Sequence, residues 1–109
     1  MLKIAVIGLG YVGLPISLII SKNFKTIGYD INKKRILKLH NHIDVNNEFK
    51  KKDFENKKLN FTFKPNDLKN CNFFIVCVPT PIKKNNKPDL NYVEKSFKLI
   101  STIIKKEDI

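Results

Sequence analysis

The stretch Lys3-Ile-Ala-Val-Ile-Gly-Leu-Gly-Tyr-Val-Gly13 decides how the rest of this chain is read. Its first half is a short, nearly continuous apolar run of strand length, the pattern of a strand covered on both faces, as in parallel sheets. Its second half matches G-x-G-x-x-G, with glycine at Gly8, Gly10 and Gly13. Residues 14–24 are then apolar almost all round, and Pro15 falls in the first helical turn, where its missing N–H is not needed. Strand, glycine turn and buried helix in this order form the phosphate-binding corner of a dinucleotide fold. The first glycine permits the tight turn, the second lets a pyrophosphate approach the backbone, and the third lets helix and strand pack closely. The free N–H groups and positive dipole end of the helix then hold the phosphates.

Working outward, Thr26-Ile-Gly-Tyr-Asp30 gives a second short strand that ends on an acid 22 positions beyond Gly8. A carboxylate there accepts hydrogen bonds from the adenosine ribose hydroxyls, and the matched spacing turns a weak motif into a strong one. The same charge repels a 2′-phosphate, which argues for NAD over NADP. Arg35, the sole arginine, is the complication, because a nearby arginine can receive that phosphate. With Asp30 present, Arg35 is expected at the adenine ribose or as a partner to Asp30. The alternative for the whole corner is a tight turn with a capping aspartate and no ligand.

Asn32 is placed to cap a helix carrying Ile36, Leu39 and Ile43 on one face. Residues 41–58 lose this pattern to polar and lysine-rich sequence, although Phe49 and Phe54 suggest folding over the surface. A third strand is expected at 59–63, a short helix or turn at 65–69, and the strongest strand at 72–78, Asn-Phe-Phe-Ile-Val-Cys-Val. After a polar loop at 83–89 closed by Pro88, Asn91 and Glu94 resemble a capping pair, and Val93, Phe97, Ile100 and Ile104 predict an amphipathic helix over 91–105.

The fold class is therefore α/β: a Rossmann-type doubly wound parallel sheet, reaching about four strands and four helices in residues 1–109 and lacking a substrate and catalytic domain. The next strand of such a fold would cover strand 72–78, so an exposed apolar edge is expected there, with a tendency to pair with a second copy or aggregate.

Val78-Pro-Thr-Pro81 lies at the carboxyl end of that strand, the edge of an open α/β sheet where ligands bind. Thr80 either reaches the nicotinamide side of the cofactor or faces solvent from a rigid turn; spacing does not decide between them.

Composition excludes several other classes. The formal charge is +11, but lysine supplies nearly all of it and is spread along the chain in short runs, whereas base readout and phosphate clamping favour arginine forks. Drift toward lysine and asparagine accounts for the charge, with weak salt-sensitive attraction to polyanions and no specific nucleic-acid partner. The apolar N-terminal stretch is broken by glycines and Pro15 and has no cleavage pattern, and no run approaches the roughly 20 residues of a membrane span, so a cytoplasmic protein is expected. Cys71 and Cys77 are expected as reduced core residues on one face of a strand, beyond disulfide reach of each other. His40 and His42 lack partners in a metal-binding pattern. There is no nucleophile elbow, zinc-protease helix or P-loop lysine, and no complete catalytic constellation.

These residues together resemble the N-terminal NAD-binding domain of the UDP-glucose/GDP-mannose dehydrogenase family. The resemblance rests on Ile4 through Ser17 with its Gly-Tyr-Val-Gly-Leu-Pro, on Gly28-Tyr-Asp-Ile-Asn-Lys-Lys-Arg35, and on the stretch from Cys71 that ends in Val-Pro-Thr-Pro81. Ile43-Asp-Val-Asn-Asn-Glu48 and Lys87-Pro-Asp-Leu90 are most similar to bacterial UDP-N-acetylhexosamine (glucosamine, galactosamine or mannosamine) 6-dehydrogenases of surface-polysaccharide synthesis. The resemblance implies an intact enzyme that oxidises a sugar C6 alcohol to a carboxylate by two hydride transfers to two NAD molecules, through a covalent intermediate on a cysteine. In the family that cysteine, its lysine and asparagine helpers and the sugar-binding domain lie far downstream, and neither Cys71 nor Cys77 matches it. The residues carried over are Gly8, Gly10, Tyr11, Val12, Asp30, Arg35 and Thr80. With Gly13, Ile31, Val78 and Pro79 beside them, these are the candidate cofactor contacts; no catalytic or metal-binding residue is assigned. Residues 1–109 are expected to hold cofactor without turnover, the alternative to a dehydrogenase part being a stand-alone NAD-binding or interaction module.

Overall fold

A computed structural model describes residues 2–41, 58–105 and 108–109. Its elements run β1 (Lys3–Ile7), α1 (Gly13–Ile20), β2 (Lys25–Tyr29), α2 (Lys33–His40), β3 (Leu59–Thr62), a single 3-10 turn (Pro65–Leu68), β4 (Phe73–Val76) and α3 (Asn91–Ser101). The four strands form one parallel sheet in the order β3-β2-β1-β4. The chain crosses back between β3 and β4, so the sheet has a point beside β1 at which its winding reverses, the place where open α/β sheets bind ligands.

Alternation along β1 builds two cores. Ile4 and Val6 pack with Leu14 and Leu18 of α1 and with Ile36 and Leu39 of α2. Ala5 and Ile7 point the other way, onto Leu68, Ile100 and Ile103. Helices α1 and α2 therefore cover one face and α3 with the 3-10 turn covers the other, the doubly wound arrangement expected from the crossovers. Three α-helices are present among the described residues, not four. The segment at 65–69 closes only one turn, pinned where Thr62 Oγ1 donates to Asp67 Oδ2 at 2.5 Å and accepts from the Lys64 amide at 3.0 Å.

Other expectations need correction. Cys71 and Cys77 do not share a face. The strand begins at Phe73, so its alternation does not reach back to Cys71, which packs in the Ala5 core while Cys77 packs against the Ile4 core. Both are free thiols. Asn91 does not cap α3; it is the first helical residue, and its amide donates to Asp89 Oδ1 at 3.0 Å. The buried face of α3 and its exit is Ser96, Ile100 and Ile103, whereas Phe97 and Ile104 remain exposed. The polar loop at 83–89 is a tight excursion in which the amides of Lys83 and Asp89 donate to the carbonyls of Lys87 and Pro81, and Asn86 takes the left-handed conformation at φ 64°.

The cap on α2 stands as expected: the Asn32 side chain accepts from the Arg35 amide at 3.2 Å. His40 Nε2 lies 2.7 Å from the Phe61 carbonyl oxygen, tying the end of α2 to β3. Ile43, His42, Phe49 and Phe54 fall outside the described residues. Along the free edge of β4 the amide of Phe74 donates to the Ile109 carbonyl at 2.6 Å and the Ile109 amide donates to the Asn72 carbonyl at 2.7 Å. The edge expected to be open is thus engaged at one end, while Phe73–Val76 remain only half-buried.

Candidate functional site

A cleft of about 660 Å3 opens at the carboxyl ends of β1, β2 and β4. Its floor and one wall come from the glycine loop. Gly8 sits at φ +97°, a conformation that L side chains rarely adopt, and a Cβ there would stand 2.7 Å from the Cys77 carbonyl oxygen. At Gly13 a Cβ would meet the Gly8 carbonyl oxygen at 1.6 Å, so the start of α1 lies against the end of β1 only because no side chain intervenes. Gly10 differs, since a Cβ there would have nothing within 4 Å. Its bare backbone faces open space that a ligand can enter. No acceptor stands opposite the amides of Gly10, Tyr11 or Val12 among the described residues, as follows from their position ahead of the first helical hydrogen bond, Leu14 amide to Gly10 carbonyl. Unpaired amides at a helix N-terminus with an open glycine fit a pyrophosphate.

Asp30 forms the second wall. Its Oδ2 accepts the Leu9 amide at 3.0 Å and its Oδ1 accepts the Asn32 amide at 2.9 Å, so the carboxylate stitches the glycine loop to the turn after β2. Each oxygen keeps lone-pair capacity for a ribose hydroxyl. Arg35 completes the brace. Its Nε and Nη2 donate to the Leu9 carbonyl at 3.1 and 2.8 Å, a fork on one oxygen, so that Leu9 is held at both its amide and its carbonyl. Arg35 is expected from sequence at the ribose or on Asp30; its guanidinium also holds the loop backbone.

A further wall is Val78, Pro79 and Thr80 beyond β4, with Thr80 exposed and on the lining of the cleft. Nine of the eleven sequence candidates therefore meet around one cavity. Gly13 does not line it and acts through packing, and Arg35 lines an adjoining hollow. Tyr11 and Ile31 are each 72% exposed at the mouth, an apolar rim that a ligand would cover.

Sequence reasoning missed a whole face of the site. Tyr92, Lys95, Ser96 and Leu99 of α3 line the cleft, as does Tyr29 at the end of β2. No motif marks the α3 residues; the available signal is topological, because the helix that follows β4 packs back beside the ligand-binding edge. Burial raises the Tyr29 phenol, with the Asp30 charge adding to it, and burial raises the Cys77 thiol. Both stay protonated near neutral pH, and a protonated thiol is a poor nucleophile. No group of three or more potential metal ligands occurs among the described residues, and no helix among them is long and apolar enough to cross a membrane.

Comparison with known proteins places this geometry. Residues 2–109 match the NAD binding domain of the UDP-glucose/GDP-mannose dehydrogenase family. A UDP-N-acetyl-D-glucosamine 6-dehydrogenase of Salmonella typhi is 44% identical over 108 residues, covering 98% of this chain and 25% of the relative. One of the same name from Pseudomonas aeruginosa is 45% identical over 109 residues, covering 99% and 26%. The solved structure of a UDP-D-ManNAc dehydrogenase from Pyrococcus horikoshii superposes with a TM-score of 0.92 at 30% identity, covering 99% of this chain and 27% of that one. This chain spans about a quarter of the length of the relatives it matches. With a glycine corner, an acid at the end of β2 and a match that runs from residue 2 to residue 109, this chain belongs to the UDP-glucose/GDP-mannose dehydrogenase family, as its NAD-binding domain.

Proposed function

We propose that the cleft holds NAD with its pyrophosphate on the amides of Gly10, Tyr11 and Val12, its adenosine ribose on Asp30 beside Ile31, and its nicotinamide half toward Val78, Pro79 and Thr80. Gly8 and Gly13 shape the corner, and Arg35 keeps the loop in register. The observation that carries this reading is the open backbone at Gly10 and the Asp30 carboxylate lining one cleft. When bound, the nicotinamide accepts hydride; the residues of this chain bind, orient and shield it.

In the whole protein the reading extends to oxidation of the C6 alcohol of a UDP-N-acetylhexosamine to a carboxylate, within surface-polysaccharide synthesis in the cytoplasm. The names of the 44–45% identical relatives support that substrate class. The nucleophile and sugar pocket then belong to the part of such enzymes that these 109 residues do not span. Self-association through the half-buried edge of β4 is the corresponding proposal for a homodimer.

Calorimetric titration with NADH, repeated on Asp30→Ala, tests the core of it. The parent chain should bind, and the substitution should raise Kd at least about ten-fold, as loss of a charge-assisted hydrogen bond predicts. A folded chain that takes up no NADH, or binds it equally well without Asp30, sinks the reading.

A further inference from the structure

Tyr29, the last residue of β2, carries a hydroxyl that the fold does not use. Its ring packs in the core with Ala5, Ile7, Leu68 and Ile100, and the residue is 7% exposed. Buried tyrosines ordinarily place their hydroxyl on a partner. This one has none among the described residues. No side-chain oxygen among them is both sealed from solvent and unpartnered, so the phenol oxygen meets open space, and Tyr29 lines the cleft. Burial, with the Asp30 charge beside it, keeps the phenol protonated and able to donate. Phenylalanine would fill the same core volume without leaving a hydroxyl unmatched.

The wall of the cleft formed by α3 is also unassigned by the phosphate and ribose contacts. Tyr92, Ser96 and Leu99 line it at spacings of four and three, which is one face of the helix. Ser96 is buried and its hydroxyl donates to the Tyr92 carbonyl at 2.8 Å, so a small, internally satisfied residue leaves a notch between two larger ones. Tyr29 belongs to the core beneath this helix, whereas the carboxylate of its neighbour Asp30 turns to the amides of Leu9 and Asn32. A ribose held on Asp30 carries its base on the carbon next to the 2′-hydroxyl. The base is therefore delivered beside Tyr29.

We propose that the recess lined by Tyr29, Tyr92, Ser96 and Leu99 receives the adenine base, with the Tyr29 hydroxyl donating to a ring nitrogen and the side chains of α3 supplying apolar contact. The inference rests on the cofactor reading of the cleft and deepens it by naming a residue that selects the base. Tyr29 binds and orients; it takes no part in hydride transfer.

The test is a titration of the parent chain and of Tyr29→Phe with NADH and with reduced nicotinamide cytosine dinucleotide, which keeps the pyrophosphate and both riboses but carries a one-ring base too short for the recess. NADH should bind the variant about three- to ten-fold more weakly, the scale of one hydrogen bond between neutral groups, while the cytosine analogue should change by less than about two-fold. Displacement of NADH by 5′-AMP should weaken in parallel with NADH itself. The urea midpoint of the variant should equal or exceed that of the parent, because the substitution removes an unpartnered hydroxyl from the core. NADH binding that ignores the substitution, or equal losses for the two dinucleotides, overturns the proposal while leaving the NAD reading intact. A lowered urea midpoint also overturns it, since the hydroxyl would then be spent within the chain. A folded parent that binds neither dinucleotide overturns both readings.

Discussion

The two rims of the cleft are built in different ways. On the β1–α1–β2 side every residue from Ile4 through Ile7 is buried, and the loop is fixed by close backbone approaches at Gly8 and Gly13 and by the Asp30 and Arg35 bonds to Leu9. On the β4–α3 side the whole strand is half-buried, and Phe97 and Ile104 of the following segment lie 60% and 48% exposed. One rim is determined several times over, whereas the other leans on a few apolar contacts centred on Ile100 and Ile103. On the proposed docking, phosphate and ribose would meet rigid backbone and the nicotinamide half the more adaptable rim.

The strongest way to break the rigid rim is Gly13→Val, which drives side-chain atoms into the Gly8 carbonyl. It should cost at least about 3 kcal/mol in urea unfolding, beyond the usual range for overpacking because the obstacle is backbone. Gly10→Ala, three residues away in open space, should stay within about 0.5 kcal/mol of the parent and still obstruct NADH. Equal losses at the two glycines would erase the distinction between a packing glycine and a ligand-facing one.

The looser rim should respond next. Ile100→Ala removes a core side chain and should destabilise by about 2–4 kcal/mol, whereas Phe97→Ser on the same helix should change stability by less than about 0.5 kcal/mol. Comparable effects at both positions would mean that Phe97 is covered in solution. A smaller loss, about 1–2 kcal/mol, is expected for Arg35→Ala, since two hydrogen bonds to one carbonyl disappear from a partly buried site. It should show as faster amide exchange at residues 9–12 with little change in β4.

The smallest effect is on pH dependence, and it falls mainly on the β4 side. Burial pushes the Cys71 and Cys77 thiols up, and burial with the Asp30 charge pushes the Tyr29 phenol up. The native state then holds these protons more tightly than the unfolded chain. That contribution is complete below about pH 8.5, the ordinary thiol value, and is lost as pH rises through the raised native values. Urea midpoints should therefore decline above about pH 8.5, and Cys71→Val with Cys77→Ala should flatten the decline. A midpoint that rises over that interval contradicts the assignment.

The rigid rim was also the legible one. A glycine triplet after an apolar run and an acid at the end of the next strand depend on backbone geometry and local spacing, so sequence exposes them directly. The other rim depends on which way α3 is turned, and hydrophobic periodicity misjudged it. Val93, Phe97, Ile100 and Ile104 make the best apolar stripe, yet Ser96 is buried in place of Phe97. Its hydroxyl satisfies itself on the Tyr92 carbonyl at 2.8 Å, which lets a small polar residue occupy a close contact that a polarity pattern assigns to solvent. Helix α3 also ends at Ser101, so the later part of the predicted stripe never continues along the same axis. The brace from Arg35 to Leu9 was hidden for a similar reason: the acceptor is a main-chain carbonyl, which no residue type announces.

The double hold on Leu9 carries a kinetic consequence. Because Asp30 fixes its amide and Arg35 its carbonyl, the loop has its final shape before any cofactor arrives, and no rearrangement needs to precede docking. Encounter should then set the pace: in stopped-flow mixing the observed rate should climb in proportion to NADH concentration without levelling off. Releasing Leu9 should introduce a plateau, the signature of a loop that must first find its form.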